Sequence, residues 1–435
     1  MAATEEEFTE FAAGRPERGA GRGPARLLDG EREEPERQGL RLRRRRRVRA
    51  GASSAAFAAV LIAVGAAVPA LHAGSRPAPA SAPAIPPTLY VTSASSGEPG
   101  SGAVTPISAS TGAVGRRIAT GMSSLIIGTP DGRTVYIAGG ETSGLVQPIS
   151  TVTGKAGRPI TVVPQPTAMA ITPDGKTLYV ASANFNRSKG WVTPISVATG
   201  KAGARIEVPR APSAMVITPD GKTLYVLSTT SGTVTPISVA SGKAGQTTWI
   251  YGQPRSMVIT PDGKTLYVSQ FARDEVLPIS VATFKAGRAI KARPGPGPMV
   301  VTPNGKTLYV VDVGGFSRTV TPIAVGSDTA RPAITVGRAP LAAAITPDGR
   351  TLYVITSLGT VTPVSVATDT AEAPMKVRQG PEGIVVTPDG RRAYVLSPGS
   401  TPGSGAVTPI VTATNTAGRV ITITGAVLGQ MVIVP

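Results

Sequence analysis

The chain contains no cysteine, and its only histidine is His72. Without cysteine there is no disulfide, no thiolate nucleophile and no cysteine-ligated zinc or iron–sulfur site. A single histidine excludes most transition-metal sites and histidine-based acid–base chemistry as well. The sequence therefore predicts no catalytic residue, no metal site and no cofactor.

Charged residues (16%) and aromatic residues (4%) are also scarce, whereas hydrophobic residues make up 41% of the 435 positions. This composition is too apolar for a disordered chain, and the length suits two or three ordinary domains or one large repeat domain. Acidic residues are outnumbered, so that the net charge is +18. The first fifty residues contribute little, with 13 Arg against 10 acids. The positive remainder favours anionic partners.

The N-terminal region has the composition of a tail followed by an anchor. Residues 1–49 are rich in Gly, Arg, Glu and Pro and are predicted to form a disordered cytoplasmic tail that ends in the Arg41–Arg49 run. The next segment, 50–73, has no charge and as a helix is about 36 Å long, enough to cross about 30 Å of hydrocarbon. Arginines before the segment predict a transmembrane signal-anchor with the rest of the chain outside.

A cleaved signal peptide is the alternative, with cleavage near Ala70 or Ala73 and release of a secreted protein. Residues 74–87, rich in Pro and Ala, are predicted to be a semi-rigid linker. Nucleic-acid binding by the arginine run is the weaker interpretation in front of an apolar segment, and no nucleic-acid partner is expected.

Residues 88–435 are built from a repeat. The decapeptide ITPDGKTLYV occurs at Ile171–Val180, Ile217–Val226 and Ile259–Val268, and altered copies follow. The tyrosine of this element recurs every 41–46 residues, at Tyr90, Tyr136, Tyr179, Tyr225, Tyr267, Tyr309, Tyr353 and Tyr394. A second landmark, V-x-P-[IV], also occurs eight times, with its proline at Pro106, Pro148, Pro194, Pro236, Pro278, Pro322, Pro363 and Pro409. Two independent landmarks thus count eight units.

Each unit is predicted to form four short strands. In the third unit these are 167–172, 177–182, 191–197 and 203–208, with T-P-D-G as the first tight turn. The T-L-Y-V strand is apolar on both faces, which suits a sheet packed between two others. Four strands with a period in the low forties are typical of a β-propeller blade, because each blade buries its faces against its neighbours.

The chain ends favour a closed ring. The ordered part begins at a second strand, Leu89–Thr92, and finishes at Met431–Pro435, which matches the first strand of other units. The sequence therefore predicts an all-β, single propeller of eight four-stranded blades, closed by pairing of its N- and C-terminal strands and preceded by one transmembrane helix. Seven blades is the alternative number.

The units resemble the YVTN-type β-propeller repeat, whose motif is P-x-G-[VI]-x-[VI]-[ST]-P-D-G-x-x-[LA]-Y-V. The resemblance covers nearly all of residues 88–435 and implies an exported bacterial surface protein, as in surface layers. The third strand departs from the family, with V-T-P-I-S in place of V-x-V-I-D. A proline there removes a hydrogen-bond donor, so we expect either a bulge or weak pairing to the fourth strand.

The acids of the T-P-D-G turns are interpreted as turn formers, and Asp274, Glu275 and Asp312 as solvated loop charges. Variable loops at one end of the blades are the predicted ligand-binding face. Its candidate residues are Arg187, Trp191, Arg210, Trp249, Tyr251, Arg255, Phe271, Arg273, Arg293, Phe316, Arg318, Arg338 and Arg378. The inner ring of this face is expected to be positive.

Arginines interleaved with aromatic residues suit an anionic or sugar-bearing polymer. The predicted function is a non-catalytic scaffold outside the cytoplasm that binds a protein or an anionic or glycan polymer of the cell envelope and contacts the membrane through residues 50–73. The alternative is a lactonase-like hydrolase with an unrecognised site in the channel.

Overall fold

The computed structural model of the chain describes residues 87–94, 102–121, 124–140, 143–183, 189–398, 405–423 and 427–435. The predictions for the tail, the apolar segment and all but the last residue of the linker lie outside these ranges. Within them, every regular element is a β-strand, and no helix is present that could cross a bilayer.

The strands form eight antiparallel sheets, the blades of an eight-bladed propeller, each ordered inner, second, third, outer. This confirms eight blades and not seven. From blade 1 to blade 8 the inner strands are Val427–Val434, Leu125–Gly128, Pro166–Ile171, Pro212–Ile217, Pro254–Ile259, Pro296–Val301, Pro340–Ile345 and Gly383–Val386. The second strands are Thr88–Ala94, Thr134–Gly139, Thr177–Ser182, Thr223–Ser228, Thr265–Gln270, Thr307–Asp312, Thr351–Thr356 and Arg392–Ser397.

The third strands are Ala103–Ser108, Leu145–Ser150, Lys189–Ser196, Thr233–Ser238, Glu275–Ser280, Thr319–Ala324, Thr360–Ser365 and Ala406–Val411. The outer strands of blades 1–5 are Ile118–Ala119, Ile160–Thr161, Ile206–Pro209, Thr248–Trp249 and Ile290–Lys291. In blades 6–8 the outer strand has two pieces, Thr329–Ala330 with Ile334–Thr335, Thr370–Ala371 with Met375–Lys376, and Thr416–Ala417 with Ile421–Thr422.

The core lies between neighbouring blades. Leu178, Tyr179 and Val180 of one second strand are all buried, and their side chains alternate between the two faces of the sheet. Val180 packs with Val146 of the preceding blade in one apolar cluster, and Tyr179 belongs to the cluster shared with the following blade. The two apolar faces of T-L-Y-V therefore serve two different interfaces.

The tight turn between the inner and second strands is held by its own side chains. Thr172 donates its hydroxyl to Asp174 Oδ1 at 2.6 Å, and the Lys176 N–H donates to the same oxygen at 3.0 Å. Gly175 takes the positive φ of 70° that the turn requires. The turn interpretation of these acids is confirmed, because the matching Thr–carboxylate or Thr–amide bond forms at Asp131, Asp220, Asp262, Asn304, Asp348 and Asp389.

The third-strand proline weakens pairing on its outer side, which is the second of the two expected outcomes. Pro194 pairs in register with Tyr179 of the second strand, without a bulge. On the other side its ring faces Gly203, where an added Cβ would lie 3.2 Å from Pro194 Cγ. The Gly203 N–H donates to the Pro194 carbonyl at 2.8 Å, but regular outer-strand pairing resumes only at Ile206.

The C-terminal strand is the inner strand of blade 1. It pairs antiparallel with Thr88–Ala94, with Leu89 opposite Ile433. Val434 also approaches Gly128 of blade 2 so closely that a Cβ there would clash with it. The terminal strands thus pair as the sequence predicts, whereas the contribution of this pairing to holding the ring together stays a prediction.

The two ends of the blades differ. At one end, which we call the loop side, lie the loops from second to third strands and from outer strands to the next inner strands. At the other end, the turn side, lie the tight turns from inner to second strands and from third to outer strands. Thr88 begins a second strand, so the chain enters the propeller on the turn side.

Candidate ligand-binding surface

The described candidate residues all lie on the loop side, at strand ends or in loops. Arg187 lies outside the described residues. The structure brings six of the others into two local groups and leaves the remaining six apart.

The first group, the blade 5 cluster, consists of Tyr251, Arg255, Phe271 and Arg273. The Arg255 guanidinium carbon lies 3.7 Å from the centroid of the Phe271 ring, and that of Arg273 lies 5.8 Å from the centroid of Tyr251. Tyr251 is 67% exposed, and both arginines are exposed. Two cation–π pairs therefore stand side by side at the surface.

Short-range contacts place the blade 5 cluster. The buried Gln270 donates from Nε2 to the Tyr251 carbonyl at 2.7 Å and so fixes the loop that carries the tyrosine. Gly252, with φ of 92°, leaves room for Arg273, since a Cβ there would lie 2.7 Å from Arg273 Cγ. Asp274 Oδ1 accepts the Gly295 N–H at 2.8 Å and joins the second–third loop to the next outer–inner loop.

The second group is a groove of about 240 Å³ between blades 6 and 7, lined by Phe316, Arg338, Ala339 and Leu358 together with Gly315 and Ser317. Phe316 is 89% exposed and Leu358 is 58% exposed. We call it the blade 6–7 groove. It combines an apolar floor with one cation, which suits a ligand that is partly apolar and partly anionic.

The remaining candidates are separate. Trp191 is half-buried in the third strand of blade 3, between Ser182 and Glu207 of its neighbour strands. Trp249, 64% exposed, ends the outer strand that leads to Tyr251. The exposed loop residues Arg210, Arg293, Arg318 and Arg378 form no ion pair with an acidic side chain among the described residues.

The expectation of a positive inner ring rests on arginines of the outer–inner loops and stays a prediction; the inner-strand starts themselves carry few charges. Six of the inner strands have a register shift near the loop side. The residues at these shifts and at the matching position of blade 8 are Thr167, Ser213, Arg255, Gly297 with Pro298, Leu341, Glu382 and Gln430. Arg255 and Glu382 are the two charged residues of this set. Burial among protein atoms raises the pKa of the Glu382 carboxyl, although solvent still reaches the side chain.

Asp312 is fully buried, so its interpretation as a solvated loop charge is wrong. It ends the second strand of blade 6, and its Oδ2 accepts the hydroxyls of Thr319 at 2.7 Å and Thr321 at 3.0 Å. Burial raises the pKa of its carboxyl to about 6, against the opposing effect of these two hydrogen bonds and of the Arg293 charge. The pattern of loop acids gave no signal of this burial.

Asp274 and Glu275 are partly buried and engaged, Asp274 with the Gly295 N–H and Glu275 with Lys291 at 3.0 Å. Among the described residues, no group of three or more acidic or histidine side chains is arranged to hold a metal ion.

Sequence reasoning missed Leu358 and Gln270. Leu358 lies in the short hairpin between the second and third strands of blade 7, where an exposed leucine is an available signal. Gln270 occupies a strand position where other blades have serine, as at Ser182, Ser228 and Ser397. This departure from the repeat, to a longer amide side chain, is the sequence feature that could have identified it.

A family model described as a lactonase with a seven-bladed β-propeller matches residues 182–284. That match covers less than half of the chain and supports a propeller, without showing the family or the YVTN-type repeat. No curated protein matches the sequence.

Several solved structures share the fold. Dihydro-heme d1 dehydrogenase NirN is 16% identical, with a TM-score of 0.64 over 83% of this chain and 78% of that one. A putative 6-phosphogluconolactonase from Bacteroides uniformis is 17% identical, with a TM-score of 0.56 over 80% and 99%. Hydrazine synthase of Kuenenia stuttgartiensis is 23% identical, with a TM-score of 0.51 over 69% and 95%. At these identities the similarity concerns the fold alone.

Proposed function

We propose that this propeller is a non-catalytic binding protein whose loop side recognises an anionic or sugar-bearing polymer of the cell envelope. The blade 5 cluster carries the proposal. Its two guanidinium groups lie over aromatic rings, Arg255 at stacking distance and Arg273 farther off, and their N–H edges are left for phosphate, sulfate or carboxylate groups. The exposed rings of Trp249 and Tyr251 offer stacking surfaces for sugar rings beside these cations.

The location of the protein in the cell is inferred from its resemblance to YVTN-type repeats and from its N-terminal apolar segment. We propose a single-pass membrane protein with the propeller outside the cytoplasm; the alternative is a secreted protein after cleavage near Ala70 or Ala73. N-terminal sequencing of the mature protein separates the two, because a sequence that begins near Gly74 means that no anchor remains.

The binding proposal is tested with three immobilised probes: dextran sulfate, neutral dextran and polyphosphate. We expect retention on dextran sulfate that falls steeply as salt rises, and weaker retention on polyphosphate, which lacks sugar. The double variant Arg255→Gln, Arg273→Gln should lose at least tenfold in affinity for dextran sulfate. Charge reversal of Arg210, Arg255 and Arg293 together should abolish retention.

Lys176 and Lys264 provide the matched control. Each lies on the turn side and contacts the aspartate of its own turn, at 3.4 Å and 3.8 Å. Gln at these two positions removes the same formal charge and should leave retention nearly unchanged. Equal losses from the two double variants would mean general electrostatics and would reject the loop-side site.

The match of residues 182–284 to a lactonase model favours a second candidate, a lactonase-like hydrolase. Glu382 is the residue to test, since it is a solvent-accessible carboxylate at an inner-strand start with a raised pKa, as a general base requires. Release of acid from a simple sugar lactone, measured at constant pH, should depend on the protein and be lost in Glu382→Gln if this candidate is right.

A further inference from the structure

The turn side carries a sector of lysines that the loop-side function does not use. Lys155, Lys201, Lys243 and Lys285 occupy the same position in the third–outer turns of blades 2, 3, 4 and 5. Each precedes an alanine that bridges to the isoleucine of the third strand, as in Ile195–Ala202 and Ile237–Ala244. We call these four residues the lysine sector.

The lysine sector is exposed and uncompensated. All four side chains are exposed, and none pairs with an acid in the described part of the chain. The lysines of the neighbouring inner–second turns differ, because Lys176, Lys222 and Lys264 each contact an aspartate of the same turn. In blades 3, 4 and 5 the lysine of the third–outer turn is therefore the one whose charge is not offset by a carboxylate of its own turn.

The lysines at this turn position are confined to four consecutive blades. In blades 6, 7 and 8 the matching residues are Thr329, Thr370 and Thr416, and the residues before them are Asp328, Asp369 and Asn415. Asp369 accepts Arg331 at 3.1 Å, and Asp328 accepts the Tyr267 hydroxyl at 2.6 Å. The third–outer turns of four consecutive blades thus carry a lysine, and the same turns of the next three blades carry an acid or an amide.

The chain path gives a second, independent argument. The propeller begins at Thr88 in blade 1, next to the lysine sector and on the same side. If residues 50–73 lie in a membrane, the 14-residue linker that connects them to Thr88 extends about 43 Å at most in the polyproline form. The turn side is then held near the bilayer, and the loop side is free to meet its ligand.

We infer that the lysine sector binds the surface of an anionic phospholipid bilayer. Lysine ammonium groups are attracted to lipid phosphates without specific geometry, and each one near an anionic surface contributes about a fivefold gain in affinity. The attraction falls off within a Debye length, about 10 Å at 0.1 M salt, so it acts only on a face brought close to the membrane.

The absence of cysteine makes the test clean, since one introduced cysteine takes a dye at one place. Full-length Ser241→Cys labels the turn side beside Lys243, and Gln379→Cys labels the loop side. Energy transfer to a lipid-borne acceptor is measured in vesicles of phosphatidylcholine alone and with about one third phosphatidylglycerol. We expect phosphatidylglycerol to raise transfer from the Ser241→Cys dye, salt to reverse the rise, and the Gln379→Cys dye to show no such change.

Two charge-matched variants complete the design. Gln at all four positions of the lysine sector should abolish the response to phosphatidylglycerol, whereas Gln at Arg210, Arg318, Arg338 and Arg378 on the loop side should preserve it. An equal loss in both variants, equal transfer from both dyes, or transfer that ignores lipid charge would overturn the inference. Flotation with neutral vesicles tests the membrane anchor separately, and dextran sulfate binding tests the proposed loop-side function. A failure of the lysine sector to bind lipid can therefore be distinguished from a failure of either of these.

Discussion

Asp312 shows what one buried carboxylate does to stability. At the equivalent strand ends, Ser182, Ser228 and Gln270 donate to the carbonyl nineteen residues earlier, at Val163, Pro209 and Tyr251. An ionised aspartate cannot donate a hydrogen bond, and Asp312 instead accepts hydrogen bonds from the hydroxyls of Thr319 and Thr321. The series of donors in blades 3, 4 and 5 is therefore followed at blade 6 by an acceptor.

We predict that Asp312→Asn stabilises the protein at neutral pH. A carboxyl whose pKa is about 6 when folded and 3.8 when unfolded binds its proton more tightly in the folded state. Burying the ionised carboxylate therefore lowers the free energy of unfolding by up to about 3 kcal/mol above pH 6. This loss of stability disappears as the pH falls from 6 towards 4 and the carboxyl is protonated. Unfolding by urea at pH 8 and at pH 4 should show a large gain for the variant at pH 8 and almost none at pH 4.

Asp220→Asn is the control with the opposite sign. The hydrogen bond from Thr218 holds the pKa of this exposed carboxyl below its usual value, so its contribution is present at neutral pH and lost on acidification. This variant should be slightly less stable than the parent at pH 8. A gain at pH 8 from both variants would show that overall charge, and not the burial of Asp312, is responsible.

At the scale of the elements, the tyrosine of each second strand connects neighbouring blades on the turn side. Tyr267 donates to Asp328 of the next blade at 2.6 Å, and Tyr309 donates to Asp369 at 2.7 Å. In blade 4 the contact is apolar, as Tyr225 stacks on Phe284 with ring centroids 5.6 Å apart. The hydroxyl therefore has a partner only where the next turn supplies one.

We predict that Tyr267→Phe lowers stability by about 1.5 kcal/mol, the low end for a hydrogen bond to a charged group, because Asp328 is exposed. Tyr179→Phe is the matched control, because its ring is equally buried and its hydroxyl makes no hydrogen bond within the described residues. The two variants are compared by thermal unfolding. If the Tyr179 variant loses as much as the Tyr267 variant, the ring environment and not the contact with Asp328 is the cause.

The elements also show how far the sequence could be read. The second strand of the third unit, 177–182, was predicted to the residue, since turn residues and the T-L-Y-V pattern bound it on both sides. The outer strand, expected at 203–208, is Ile206–Pro209. Its start depends on the Pro194 ring packing against Gly203, a contact between strands that no local pattern specifies.

The candidate site was predictable only as a side of the molecule. Topology alone places the variable loops at one end of every blade, which is why the described candidates share the loop side. The pairing of Arg255 with Phe271 depends on a register shift between Pro254 and Ser256. The blade 6–7 groove forms because Phe316 of blade 6 and Leu358 of blade 7 line the same space. Such contacts follow from blade packing and not from sequence spacing.

For the whole molecule, we predict that the terminal pairing is what keeps the ring shut. Deletion of residues 429–435 removes the partners of Leu89, Tyr90 and Val91, and with the buried Val432 and Val434 it removes part of the apolar cluster that includes Ile126 and Val135 of blade 2. At about 1.5–3 kcal/mol for each large apolar side chain, the loss should be several kcal/mol. The melting temperature should fall strongly, whereas Pro435→Ala, at the exposed end of the chain, should leave it unchanged. An unchanged melting temperature in the deletion would place the decisive contact elsewhere.

The short outer strands have a consequence for crowded conditions. A ring of eight sheets presents eight outward edges, and a long free edge pairs readily with the edge of another molecule. Here the outermost pieces span two to four residues, and the proline beside each of them lacks an N–H. Copies that are packed closely on a surface therefore have few free backbone N–H and C=O groups for pairing edge to edge. We expect them to remain separate molecules and not to assemble into fibres.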